Sequence, residues 1–189
     1  MPSRRARPDL AVLLAPGAGA SRDHHTLLAI DEAISPIPVR RMDFDYRIAG
    51  HRAPDRAPKA IARVRQEAAA LLAESGARRL VLGGRSYGGR MCSMAVAEGL
   101  TAAGLVLLSY PLHPPGKPDR LRVEHFSEIN VPVLLISGDK DPFGSPAEFA
   151  DHVPAIAGPV TMAWLPGGHD PRTADSATPP IVAGWLAKL

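Results

Sequence analysis

The chain has 189 residues, a formal net charge of +3 and 46% apolar residues, the composition of a globular protein with one sizeable core. No apolar run approaches the roughly 18 residues that span a bilayer, which argues against a transmembrane helix. Aromatic residues make up only 5% of the chain and do not interleave with its arginines, so a nucleic-acid groove is not indicated.

The N-terminus predicts a short basic arm and no secretion signal. Residues 1–8 are basic and contain proline, and we expect them to be flexible, whereas residues 9–189 form a single predicted domain. The apolar run at residues 10–15 is short for a signal peptide, and no small-residue cleavage site precedes it. The single cysteine, Cys92, allows no internal disulfide and fits a reducing compartment, so we expect a packed thiol in a cytoplasmic protein.

Apolar runs typical of strands buried on both faces alternate along the chain with stretches of helical spacing. The predicted strands are residues 10–15, 39–43, 79–83, 104–109, 131–136 and 160–165. The predicted helices are residues 23–33, 61–76, 91–97, 146–153 and 180–189, with an exposed loop at 44–58 and a long loop at 110–123. This alternation predicts an α/β protein, a three-layer α/β/α sandwich with a mostly parallel sheet of about six strands.

The strand at residues 79–83 leads into the sequence Gly-Arg-Ser-Tyr-Gly at 84–88, and a helix of small residues follows. A strand, a sharp G-x-S-x-G turn and a helix form a nucleophile elbow, in which a strained turn projects the serine hydroxyl above the sheet. Glycines on both sides of Ser86 remove side chains that would clash, and the helix N-terminus favours negative charge developing on a substrate. Ordinary glycine-rich turns also match this pattern, so Ser86 needs partners to qualify as a nucleophile.

Those partners follow later in the chain. A serine hydroxyl needs a base to accept its proton and an acid to orient that base, and in this kind of fold the order is Ser, Asp or Glu, then His. Asp141 and His169 each follow a predicted strand, in that order. Asp139 lies on the same loop as Asp141, which we favour because it is further from the strand and precedes a proline. The expected catalytic residues are therefore Ser86, Asp141 and His169.

A tetrahedral intermediate also needs donors for its oxyanion. We expect the backbone N–H of Tyr87, at the start of the helix, and that of Ala18 or, as a second choice, Gly17, in the glycine loop after the first strand. Arg85 and His113 are candidates for substrate contact, although a packed or solvated role fits each of them equally well.

The sequence predicts neither a metal site nor a cofactor. The adjacent pair His24-His25 is too short to chelate a metal in the manner of a zinc helix, and no C-x-x-C or H-E-x-x-H occurs. The glycine loop lacks the third glycine of a dinucleotide loop and the Gly-Lys-Ser/Thr of a P-loop.

Five stretches resemble the α/β-hydrolases and, more narrowly, the small, lidless, dienelactone-hydrolase-like proteins of bacteria and eukaryotes. They are residues 14–19, 83–90, 110–118, 138–144 and 168–169, which span nearly the whole chain. The form Gly-Arg-Ser-Tyr-Gly-Gly-Arg at 84–90 and the loop Pro-Leu-His-Pro-Pro-Gly-Lys at 111–117 are quite specific to this subgroup. Pro16-Gly17 stands where the family usually has His-Gly, which keeps the backbone donors but removes one polar side chain.

The resemblance implies a fold without early edge strands or a lid, and hence an open site. It also implies a serine hydrolase that cleaves a small-molecule ester, thioester or lactone through an acyl-enzyme. The alternative is a non-catalytic protein-interaction module, since one eukaryotic branch of the family belongs to a chromatin-modifying complex. A sheet edge left unpaired would offer a surface for a homodimer.

Overall fold

In the computed structural model, which describes residues 9–171 and 173–189, six strands form one sheet in the order β2-β1-β3-β4-β5-β6. The flexible arm expected at residues 1–8 lies outside the described residues. The strands are β1 (Leu10–Ala15), β2 (Val39–Arg41), β3 (Arg79–Arg85), β4 (Gly104–Leu108), β5 (Val133–Gly138) and β6 (Val160–Leu165). The helices are α1 (His25–Ala33), α2 (Asp45–Ile48), α3 (Ala57–Ser75), α4 (Tyr87–Ala97), α5 (Pro146–His152) and α6 (Ala174–Leu186), with short 3-10 turns at Phe126–Glu128 and Val153–Ala155.

All five strand pairs are parallel, and helices cover both faces of the sheet. Successive residues of β1 point to opposite faces: Leu13 packs in the core beneath α3 and α4, whereas Leu14 packs in the core beneath α1 and α6. Both leucines are fully buried, as are nearly all side chains of the central strands. The predicted three-layer α/β/α sandwich is thus confirmed, and its sheet is parallel throughout.

The largest differences from the sequence-based prediction lie in two segments. Residues 44–58 contain the short helix α2, and Phe44 and Tyr46 within them are buried rather than exposed. Helix α6 begins at Ala174, six residues before the predicted start, and runs through Pro179 and Pro180. Proline is usual in the first turn of a helix, where its missing N–H costs no hydrogen bond. For this reason the sequence predicted that the helix begins at Pro180.

The parallel sheet brings the predicted site loops to one edge, since the carboxyl ends of parallel strands lie side by side. Strand β3 ends immediately before Ser86, and β5 and β6 end before Asp141 and His169. Register pairs Gly138, at the end of β5, with Leu165, at the end of β6. Within the described ranges, no helix combines the length and the apolar character needed to cross a membrane.

Candidate active site

Ser86 occupies a strained turn between β3 and α4, with φ of 49° and ψ of −116°. A positive φ costs an L-residue about 1–3 kcal/mol and persists only where the surroundings hold it. Here the Ser86 N–H donates to Leu108 O at 2.8 Å, and Ser86 O accepts from Arg90 N at 3.0 Å. A Cβ on Gly84 would come within 2.7 Å of the Gly88 carbonyl carbon, so this tight turn requires glycine there.

The three predicted side chains form one hydrogen-bonded chain. Ser86 Oγ lies 2.9 Å from His169 Nε2, and His169 Nδ1 lies 2.8 Å from Asp141 Oδ2. The Asp141 side chain is 0% exposed and that of His169 20% exposed. A buried carboxylate can only accept, so it fixes the proton on Nδ1 and leaves Nε2 as the acceptor for the serine hydroxyl.

The loop after β5 gives its two aspartates different partners. Asp141 faces His169, and its second oxygen, Oδ1, accepts from the Phe143 N–H at 2.9 Å. Asp139 turns toward the neighbouring loop, where its Oδ1 accepts from the Gly167 N–H at 2.8 Å. Asp141 is therefore the aspartate of this loop that contacts His169, whereas Asp139 ties the two loops together.

Phe143 supports His169 in a way the sequence analysis missed. Its ring stacks on the imidazole with a centroid separation of 4.1 Å and an interplanar angle of 29°. Its N–H donates to Asp141 Oδ1, two residues earlier in the chain. This contact forms a local aspartate turn, and its Asp-x-Phe spacing can be read from the sequence. Phe143 thus contacts both Asp141 and His169.

Arg85 lies against the loop that carries His169 rather than standing free in solvent. Its Nη2 donates to His169 O at 2.9 Å and forms an ion pair with Asp170 Oδ1 at 3.1 Å, and its side chain is 12% exposed. Gly17 packs close to its guanidinium, because a Cβ there would lie 3.4 Å from Arg85 Nη1. These contacts hold the loop after β6 in place.

Asp170 also joins a cluster that sequence spacing did not indicate. Its Oδ2 lies 3.6 Å from His25 Nε2 and 3.8 Å from His24 Nε2, and ligand-type atoms of all three residues fall within 4.8 Å of one another. Asp175 accepts from His25 Nδ1 at 2.6 Å, which raises the pKa of His25. Burial lowers the pKa of His24, and the nearby Arg85 charge adds to that effect.

The predicted oxyanion donors lie around the elbow. Gly17 is adjacent to the nucleophile, since a Cβ on it would be 3.7 Å from Ser86 Cβ. Among the described residues, the backbone N–H groups of Gly17, Ala18 and Tyr87 donate to no protein acceptor. Ala18 O accepts from the Tyr46 hydroxyl at 2.7 Å, which fixes the loop after β1.

The Tyr87 side chain belongs to an aromatic cluster behind the elbow. Its ring packs edge-on against Phe44 at 5.0 Å and near Tyr46, and its hydroxyl donates to Asp55 O at 2.6 Å. Burial raises the pKa of Tyr87. The sequence analysis missed Tyr46, because residues 44–58 lack the apolar periodicity that signals a buried segment.

His113 and Cys92 are buried and partnered. Both ring nitrogens of His113 are engaged, Nδ1 with Pro114 O at 2.8 Å and Nε2 with Glu148 Oε1 at 2.9 Å, which fastens the loop after β4 to α5. Cys92 Sγ donates weakly to Gly83 O at 3.4 Å, and burial raises the pKa of the thiol to about 12. A thiol with that pKa is a packing group rather than a nucleophile.

Solved structures with a similar fold include several hydrolases. The dienelactone hydrolase from Anabaena variabilis superposes with a TM-score of 0.78 at 20% identity, covering 97% of this chain and 88% of that one. Est1E from Butyrivibrio proteoclasticus, in a structure with bound ferulic acid, gives 0.77 at 16% identity over 100% and 92%. The RedJ thioesterase of the prodiginine pathway in Streptomyces coelicolor gives 0.69 at 14% identity over 97% and 87%.

At these identities the structural likeness establishes the fold alone. The sequence itself matches the profile of the family described as "Alpha/beta hydrolase domain" over residues 8–178. That match covers the elbow, the loop after β5 and the loop after β6. The chain therefore belongs to the alpha/beta hydrolase domain family.

Proposed function

We propose that the protein is a serine hydrolase that cleaves a small-molecule ester, thioester or lactone. One observation carries the proposal: the hydroxyl of a strained elbow serine is hydrogen-bonded to a histidine that a buried aspartate orients. A residue held in rarely populated backbone geometry is costly to maintain, and such strain clusters at active sites. Membership of the alpha/beta hydrolase domain family supports the same chemistry.

In the acylation step, His169 Nε2 accepts the proton of Ser86 while Oγ forms a bond to the substrate carbonyl carbon. The carbonyl oxygen becomes an oxyanion that the N–H groups of Tyr87 and Ala18 stabilise, with Gly17 as the alternative donor. Collapse of this intermediate breaks the bond to the leaving alcohol or thiol, which receives the proton from His169. Asp141 keeps the imidazole in one tautomer and stabilises its cation.

Deacylation repeats these steps with water. His169 accepts a proton from a water molecule, whose oxygen attacks the acyl carbon, and the proton then returns to Ser86 Oγ as the acid leaves. Because stacking on Phe143 and the hydrogen bond to Asp141 hold the imidazole in place, both steps use the same preorganised base.

The test is labelling with a fluorophosphonate, read by intact mass, on the wild type, Ser86→Ala and Ser127→Ala. We expect one adduct on the wild type and on Ser127→Ala, whose serine is exposed, and none on Ser86→Ala. Ser86→Ala should also lower kcat on a responsive ester by about 10⁶-fold with an unchanged melting temperature. Absence of labelling on folded wild type would overturn the proposal in favour of a non-catalytic interaction module.

A further inference from the structure

An open cleft of about 640 Å³ lies beside the elbow helix, between α4 and the loop that follows β4. Three arginines and two carboxylates line it: Arg90, Arg120, Arg122, Asp119 and Glu124. None of these residues takes part in the hydrogen-bonded chain described above. The cleft is therefore a second polar feature of the molecule, linked to the elbow through Arg90 of α4.

Two of the three arginines that line the cleft rest on buried parts of the fold. Arg90 belongs to α4, and its N–H donates to Ser86 O at 3.0 Å. The backbone of Arg122 is held twice: its N–H donates to Leu112 O at 2.8 Å, and its carbonyl accepts from the Tyr110 hydroxyl at 2.7 Å. Leu112 and Tyr110 are both 0% exposed, so the cleft wall is anchored in the core.

Positive charge in this cleft is poorly neutralised. Within the described part of the chain, the nearest ion pair is a loose one, 3.9 Å between Arg90 Nη2 and the exposed Glu124, and neither Arg120 nor Arg122 has a carboxylate within 4.0 Å. Burial lowers the pKa of Arg122, and the charges of Arg90 and Arg120 add to that effect. The three guanidinium groups thus share one cleft with little pairing to carboxylates.

Three other partly buried arginines of the protein have close carboxylate partners. Arg40, Arg41 and Arg63 each contact two carboxylates. In contrast, Arg90 has only the loose contact with Glu124, and its buried Nε, like that of Arg63, has no acceptor among the described residues. An unpartnered donor of this kind costs free energy unless a ligand supplies the acceptor, and charged oxygens are the acceptors that guanidinium groups bind best.

We propose that this cleft binds an anionic group, a carboxylate or a phosphate, carried by the ester that Ser86 attacks. The proposal rests on the proposed function and narrows it to esters, thioesters or lactones that bear such a group. Arg90 follows Ser86 by four residues, so about one helical turn, roughly 6 Å of rise, separates the two backbone positions. The anion and the ester carbon of the substrate would then be joined by a short aliphatic chain. The exposed side chain of Glu124 swings aside at little cost when the anion enters.

Binding of inorganic phosphate tests the cleft without requiring turnover. We expect calorimetric titration to show binding to the wild type and to Ser86→Ala, and a dissociation constant raised about tenfold in Arg120→Gln and in Arg122→Gln. Arg78→Gln removes the same charge from an exposed arginine that follows α3, at the opposite end of β3, and should bind phosphate as the wild type does. The proposal would be overturned if the wild type bound no phosphate, or if the wild type and all three arginine variants bound it equally.

A matched pair of esters tests whether the anion belongs to the substrate. The 4-nitrophenyl half-ester of adipic acid and 4-nitrophenyl hexanoate have acyl chains of equal length, but only the first carries a carboxylate. We expect kcat/KM to favour the adipate ester, and Arg122→Gln to reduce the ratio of the two values about tenfold, whereas Arg78→Gln leaves it unchanged.

The two measurements separate the two proposals. If neither ester is hydrolysed, the proposed function fails and the phosphate titration still decides whether the cleft binds anions. If both esters react and the ratio is the same in Arg122→Gln as in the wild type, the hydrolase stands and the substrate assignment of the cleft falls. Because Arg120 is exposed, its substitution leaves the fold intact even if Arg122→Gln lowers the melting temperature.

Discussion

Ser86 combines two demands that conflict in an ordinary turn, an exposed hydroxyl and a fixed position. The left-handed backbone turns its side chain away from the sheet, and hydrogen bonds to Leu108 and Arg90 hold that conformation. Ser109, at the end of the adjacent strand β4, also has a positive φ, of 46°. Two serines with positive φ thus lie at neighbouring strand ends. Backbone strain is therefore concentrated at the edge of the sheet where the candidate site lies.

The two aspartates of the loop after β5 give a prediction at the scale of one residue. Asp141→Asn should lower kcat by about 10⁴-fold, because an amide in that place allows the wrong histidine tautomer. Asp139→Asn keeps a carbonyl oxygen to accept from Gly167 N–H and should change kcat less than tenfold, an order-of-magnitude bound. Steady-state kinetics on one ester compare the two variants, and a larger loss in Asp139→Asn would reverse the assignment.

Arg85 gives a second prediction at this scale. Arg85→Gln removes the ion pair with Asp170 and weakens the bond to His169 O, so the imidazole should be less well positioned. We expect kcat to fall about tenfold with little change in KM, since a positioning loss acts on the transition state. A rise in KM at constant kcat would instead mean that Arg85 contacts substrate.

Partial rescue distinguishes positioning by Arg85 from mere stability. Arg85→Lys keeps the charge that pairs with Asp170 but loses the planar fork, so its kcat should fall between those of the wild type and Arg85→Gln. Melting temperatures of the two variants provide the control. If both variants lose activity in proportion to their loss of melting temperature, the contact is structural only.

At the scale of elements, close approach of β3, α4 and β1 decides which residues the turn accepts. A Cβ on Gly84 would lie 2.7 Å from Gly89 N and 2.8 Å from Ala15 O, both backbone atoms that cannot move aside. Gly84→Ala should therefore destabilise the protein by about 1–3 kcal/mol, measured by urea unfolding. A stability equal to the wild type would mean that the three elements are less tightly packed than described.

A glycine in α6 supplies the matched control. Gly184 is exposed within that helix, and a Cβ added to it meets nothing within 4 Å. Gly184→Ala should raise the free energy of unfolding by about 1 kcal/mol, because alanine loses less backbone entropy than glycine in a helix. The two substitutions are the same chemical change, and their opposite signs come from packing alone.

For the whole molecule, a partly buried histidine, His125, predicts how stability depends on pH. Burial lowers the pKa of His125 to about 4 from an ordinary 6.5, with the Arg90 charge strengthening the shift and Glu124 opposing it. Between those two values the unfolded chain binds more protons than the native protein. The free energy of unfolding should therefore decrease as pH falls from 6.5 toward 4.

Comparison with a variant isolates this contribution from other titrating groups. His24 acts in the same direction, because its pKa is also lowered, whereas the raised pKa of His25 adds stability at low pH that is lost as pH rises. His125→Gln removes one titrating group, so its melting temperature should decrease less than that of the wild type between pH 6.5 and pH 5, two points within the window. Parallel decreases would show that His125 titrates normally.

Local signals predicted most of the fold because the strands are buried on both faces and read as unbroken apolar runs. Strand β6 has the predicted bounds, and β1 has the predicted bounds as well. The segment at residues 44–58 failed for the opposite reason. Phe44 and Tyr46 are buried against Tyr87. In the sequence they stand among Arg, Pro and Asp residues, so the segment has no apolar periodicity to detect.

The sequence by itself determined the layer order, the elbow and the order Ser86, Asp141, His169, since each depends on local spacing and on chain order. Only the tertiary structure decided that Phe143 stacks on His169, that Arg85 braces the loop after β6, and that Arg90 and Arg122 line one cleft. Those contacts join residues from different strand ends. Side-chain direction and distance across a sheet depend on register and packing, which no local pattern encodes.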